Sequence, residues 1–92
     1  MNRKEKIHHL LNDAADEILA FIKESESEYS DDWMPAADIK NRLNLMLPAV
    51  PRQNKQYGPK GWLFATLMRI LEDKSLVEFK KEENNRTFYR SL

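Results

Sequence analysis

Seven apolar residues, Ile7, Leu10, Leu11, Ala14, Ile18, Phe21 and Ile22, recur at spacings of three and four, the pattern of one helix face. They predict a helix over residues 3–24, a rod about 33 Å long at about 1.5 Å per residue, comparable to the width of a small domain. A chain of 92 residues holds one hydrophobic core. The remaining residues must therefore build the other side of that core against this rod. Asn2 stands where a side chain caps the first amides, and Glu5, three residues on, gives a start like a capping box.

Hydrophobic residues at 41% and charged residues at 33% match ordinary globular usage, so the chain can bury a real core. The absence of cysteine excludes a disulfide framework, a thiolate metal site and a cysteine nucleophile. No apolar run approaches the roughly 20 residues that cross a bilayer, and no apolar signal segment follows Met1-Asn2-Arg3-Lys4-Glu5-Lys6. The expectation is a soluble, cytoplasmic protein with no membrane partner.

Lys and Arg number 15 and so do Asp and Glu, which argues against binding a polyanion by bulk charge alone. The balance is uneven along the chain, with six basic and ten acidic residues in 1–49 and nine basic and five acidic in 50–92. Acids concentrate at Glu24, Glu26, Glu28, Asp31 and Asp32, in a serine-rich stretch expected to be a solvated loop. A surface for a polyanion belongs to the second half.

Pro35 favours extended geometry at the residue before it, which predicts a very short strand at Trp33 and Met34 followed by a second helix. Ile39, Leu43 and Met46 continue that helix until Pro48 and Pro51 end it. Residues 47–59 form a long connection, the kind that carries function more often than chance. Leu63, Phe64, Leu67, Ile70 and Leu71 mark a third helix from Lys60 to Lys74. Residues 76–81 and 86–91 are rich in β-branched and aromatic side chains, and the intervening Glu82-Glu83-Asn84-Asn85 suits a turn, so the chain closes on a hairpin.

The run Leu67-Met68-Arg69-Ile70-Leu71-Glu72-Asp73-Lys74-Ser75-Leu76-Val77-Glu78-Phe79 and the segment Thr87-Phe88-Tyr89-Arg90 resemble the third helix and wing strands of the winged helix-turn-helix family. The resemblance extends over roughly residues 7–92, although the family often has glycine where Ser75 stands and a shorter second connection. It implies an α+β, mostly helical fold: one domain over residues 1–92 with three helices, a short strand, a C-terminal hairpin wing and an extended N-terminal helix. It also implies double-stranded DNA binding, with the third helix in the major groove and the wing beside it.

The residues bear on that expectation individually. With Leu67 at the centre of the buried stripe, the opposite face of the third helix presents Trp62, Ala65 and Arg69, flanked by Gly61, Thr66, Met68, Glu72 and Asp73. Arg69 and Thr66 are the expected base contacts, and Arg52, Lys55 and Lys60 before the helix are expected on phosphates. Lys80, Lys81, Asn84, Asn85 and Arg86 would form the wing contact. A small transcriptional regulator is the resulting expectation. Its rival is a winged domain used for protein contact, with Trp62 and Met68 as an outward apolar anchor, or a non-catalytic subunit of a larger nucleic-acid-processing assembly.

His8 and His9 diverge by about 100° on a helix, so no metal site is expected of them. Glu82 and Glu83 sit in a turn without the shelter that acid catalysis needs, and no glycine-rich phosphate loop is present. The sequence therefore predicts neither an enzyme nor a cofactor. The first helix is longer than a minimal winged domain requires. Its stripe either covers the domain's own core throughout, or pairs with a second copy around Ile7, Leu10, Leu11 and Ala14, and a homodimer is the expectation.

Overall fold

The computed structural model describes residues 2–45 and 61–92. Helix α1 spans Arg3–Ser25, and its start is built as the capping residues require. The Asn2 Oδ1 accepts the Glu5 amide at 2.8 Å, and the Lys6 amide donates to the Asn2 carbonyl at 3.0 Å. Two single 3-10 turns, Glu26–Glu28 and Ser30–Asp32, lead into strand β1 at Met34–Pro35. Helix α2 is Ala36–Arg42, helix α3 is Trp62–Asp73, and strands β2 (Val77–Lys81) and β3 (Thr87–Ser91) complete the order.

The architecture is α+β, with three α-helices and a three-stranded antiparallel sheet of order β1-β3-β2 among the described residues. Met34 pairs with Tyr89 and Pro35 with Phe88 on one edge of β3, while Phe79 pairs with Tyr89 and Lys80 with Phe88 on the other. Strand alternation then sends Val77, Phe79, Lys81, Thr87, Tyr89 and Met34 to one face, and Glu78, Lys80, Phe88 and Arg90 to the other. The first face is the inner one. There Tyr89 meets Phe64 of α3 edge to face, with ring centroids 5.9 Å apart.

The core lies between α1, α3 and this inner face. Ile22, Met34, Ile39, Met68 and Leu71 are fully buried in it, joined by Ala15, Ile18, Phe64, Leu67 and Val77. Met68 corrects the sequence expectation, which set it outward. The buried residues Phe64, Leu67, Met68 and Leu71 form one stripe about 100° wide, rotated towards Met68 from the expected one, so that Leu63 and Ile70 are only half-buried. Gly61 is buried as well, whereas Trp62 is exposed as expected.

Two helix ends share one device. After α2, the Leu45 amide donates to the Lys40 carbonyl at 2.7 Å and the Asn44 amide to Asn41 at 3.2 Å, with Asn44 at φ 54°. After α3, Leu76 donates to Leu71 at 3.0 Å and Ser75 to Glu72 at 2.9 Å, with Ser75 at φ 59°. Both are Schellman caps that satisfy otherwise orphaned carbonyls. The first stops α2 at Arg42, so the helix does not continue towards Met46, and the short strand sits at Met34–Pro35 instead of Trp33–Met34.

Ser75 adopts a left-handed conformation that glycine occupies without steric cost, and its side chain is exposed. Ser75→Gly is therefore expected to raise folding stability by about 0.5 kcal/mol, the relieved strain exceeding the extra unfolded-state entropy of glycine. A higher urea midpoint at unchanged slope is the expected reading; a lower midpoint would show that strain at this cap is negligible.

Candidate nucleic-acid interface

The acidic stretch after α1 is largely exposed, as expected of a solvated segment, but it forms two 3-10 turns that are tied down at several points. Ser25 is buried. Glu26 accepts from the Ser91 amide at 3.1 Å and from the Ser91 hydroxyl, and the Tyr29 hydroxyl donates to Asp38 at 3.1 Å. Glu28 accepts from Arg42 at 2.9 Å, and the hydrogen bonds that Arg42 donates to Glu28 and then to the Tyr29 oxygen raise its pKa above the ordinary value. These contacts fasten the exit of α1 to both α2 and β3.

On the outer face of the sheet, cations and aromatic rings alternate in one row. Arg90 lies 4.2 Å from the Trp33 ring centroid, and Lys80 lies 4.9 Å from Trp33 and 5.3 Å from Phe88. Arg86 is 5.2 Å from Phe88 on the far side. The cross-strand pair of Lys80 and Phe88 sets this order, and β1 brings Trp33 in from the other edge. A guanidinium or ammonium over a ring is attracted by the ring quadrupole. Arg90 is further fixed by Glu78 and by the Asp31 carbonyl at 3.1 Å, and Lys80 by Glu82 at 3.9 Å. Arg86 has no acidic partner among the described residues.

The hairpin tip displays the remaining candidates. The Asn85 amide donates to the Glu82 carbonyl at 2.9 Å, the Glu82 amide to the Arg86 carbonyl at 2.9 Å, and Asn85 takes φ 66°. This is a turn followed by a left-handed residue, a common three-residue hairpin closure in which asparagine substitutes for glycine. Asn84 uses its side-chain oxygen to accept the Arg86 amide at 3.0 Å, so it shapes the turn. Lys81, Asn84, Asn85 and Arg86 are all exposed.

The pleat separates the adjacent lysines, placing Lys80 over the outer aromatic row and Lys81 on the inner face, the side on which α3 packs. On α3, Arg69 is exposed and weakly paired with Asp73 at 3.8 Å. Thr66 is exposed too, but its hydroxyl donates to the Trp62 carbonyl at 2.9 Å and is engaged within its own helix. Arg52, Lys55 and Lys60, with the connection 47–59, lie outside the described residues. The structure thus gathers Lys80, Arg86 and Arg90 on one face and leaves Lys81 and Arg69 on the helix side.

Sequence reasoning missed Trp33 and Phe88 as organisers of this surface. The turn read at 82–85 would set Lys80 across from Thr87; the three-residue loop closed by Glu82 and Arg86 shifts the register by one and sets it across from Phe88. Among the described residues no group of His, Asp and Glu is arranged to hold a metal ion, and no helix is long and apolar enough to cross a membrane. Comparison with protein families, with the curated proteins and with the solved structures finds no match for the chain.

Tyr89 lies on the inner face of the same strand, against Phe64. Burial, and then the nearby Glu72 charge, push its phenol up to about 12 from an ordinary 10.0. The unfolded chain therefore releases this proton first, and stability falls as the pH rises between those two values. Denaturation midpoints recorded below and above that window are expected to converge for Tyr89→Phe and to separate for the parent chain. Equal alkaline loss in both would place the titrating group elsewhere.

Proposed function

We propose that the chain is a winged helix-turn-helix protein that binds duplex DNA without catalysing a reaction, as a small transcriptional regulator. The element order α1-β1-α2-α3-β2-β3 and the sheet order β1-β3-β2 support the winged reading, since they bring α3 directly into a projecting hairpin. The single observation that carries DNA binding is the exposed hairpin tip, where Lys81, Asn84, Asn85 and Arg86 offer donors and, although Glu82 and Glu83 share the tip, Arg86 makes no ion pair among the described residues.

Arg69 is the base contact in this reading, because its guanidinium is exposed and its pairing to Asp73 is loose. Thr66 contributes surface more than donation, as its proton is occupied. Lys81 and Arg86 meet phosphates from the wing, with Lys80 held by the aromatic row behind them. A protein-contact role for Trp62 with Met68 lacks its second member, since Met68 is fully buried.

Titration of random duplex DNA at increasing salt tests the proposal. About six phosphate contacts give a log-log slope near minus five, and about a thousandfold loss of affinity between roughly 50 and 200 mM salt. No association at the lowest salt would overturn DNA binding.

A further inference from the structure

All of Arg3 to Leu10 in α1 is exposed, although Ile7 and Leu10 are apolar and expose 56% and 58% of their surface. At 100° per residue, Arg3, Ile7, Leu10, Ala14, Glu17 and Phe21 fall within an arc of roughly 80°. The core-facing residues Ala15, Ile18 and Ile22 lie on the adjoining arc. The bare stripe of the first turns therefore runs along the helix into a groove of about 510 Å³ floored by Ala14, Phe21, Leu43 and Leu63 and rimmed by Glu17 and Glu24.

Charge along α1 is polarised in the same direction. Arg3, Lys4 and Lys6 outweigh Glu5 in its first turns, and Asp13, Asp16, Glu17 and Glu24 outweigh Lys23 in the rest. Two such helices side by side in parallel would set like charges together. Running antiparallel, each basic end meets the other's acidic end, so this surface is complementary to itself.

We propose that two copies of the chain pair through α1 in antiparallel fashion about a two-fold axis that crosses the stripe midway between Leu10 and Ala14. Leu10 of each copy packs on the partner's Ala14, a large residue against a small one, which allows the helices to approach closely. Ile7 extends towards the mouth of the groove. Arg3 and Lys6 reach the partner's Glu17 and the partner's Glu24. This pairing does not depend on DNA binding and is measured without DNA.

Sedimentation equilibrium of the full chain over a wide concentration series is expected to give a mass that rises from 10.9 kDa to about twice that value. Leu10→Glu is expected to weaken association at least about 100-fold, because two leucines leave the interface per dimer. Its helical circular dichroism and urea midpoint stay unchanged at monomer concentrations, since Leu10 is outside the core. Lys6→Glu and Glu17→Lys each weaken pairing alone, and both in one chain restore it. As the chain has no cysteine, a mixture of Lys6→Cys and Glu17→Cys proteins reports direction: mixed disulfides outnumber self-disulfides in the antiparallel dimer. A monomer at every concentration, a dimer indifferent to Leu10→Glu, or a predominance of self-disulfides would each overturn the proposal.

Discussion

Ile22→Ala is expected to cost about 2–5 kcal/mol of folding stability, the usual range for truncating a fully buried aliphatic side chain. Ile22 has no exposed surface and sits in the cluster that α1 shares with α3 and the sheet. The substitution removes apolar area from the core and leaves a cavity that these stiff neighbours only partly fill. Against a total of about 5–15 kcal/mol for a domain, this is a large fraction. With a urea slope of about 1 kcal/mol per molar for a chain this small, the midpoint falls by about 2 M or more. A shift below about 0.5 M would mean that α1 does not carry the core.

The second large effect concerns the hairpin tip. Lys81→Ala with Arg86→Ala is expected to weaken binding to every duplex sequence alike and to reduce the salt slope by about two. The thousandfold loss between roughly 50 and 200 mM salt then shrinks to about a hundredfold, since about four contacts remain. Lys80→Ala costs less than Lys81→Ala in this arrangement, because Lys80 is spent on Trp33, Phe88 and Glu82. Arg69→Ala instead flattens the difference between preferred and random sequences. Filter binding or fluorescence anisotropy with two duplexes separates the two behaviours. Identical losses from the wing and helix variants would reject this division of labour.

How far the sequence was legible depends on how local the determining contacts are. The start of α1, the stripe of α3 and the hairpin turn rest on spacings of a few residues, and each stands where periodicity and capping chemistry put it. The end of α2 rests on Asn44 adopting a left-handed conformation, and a Schellman cap competes there with the more visible prolines downstream. Periodicity also treats Ile7 and Ile22 alike, yet one is more than half exposed and the other has no exposed surface. The difference arises because α3 and the sheet reach only the second half of α1.

The candidate surface was legible as a set of donors and illegible as an arrangement. Lys80, Lys81 and Arg86 read as one basic wing in the chain, and the pleat divides the two lysines between faces. Glu26 and Glu28 read as free acids, and they are engaged by Ser91 and Arg42, contacts that span distant parts of the sequence. Met68 completes a stripe with Phe64, Leu67 and Leu71, and which of two overlapping apolar stripes of α3 turns inward is decided by the packing partners and not by spacing alone.

β1 contributes just two residues to the sheet, Met34 and Pro35, and among the described residues they alone flank β3 on the side away from β2. Pro35 has no amide hydrogen to give, so the joint is thin by its chemistry as well as its length. Should the segment carrying Glu26 and Tyr29 peel away, β3 would present a bare edge ready to recruit a strand from another molecule. The stitching at Glu26, Glu28 and Tyr29 thus holds in place the short segment that covers this edge.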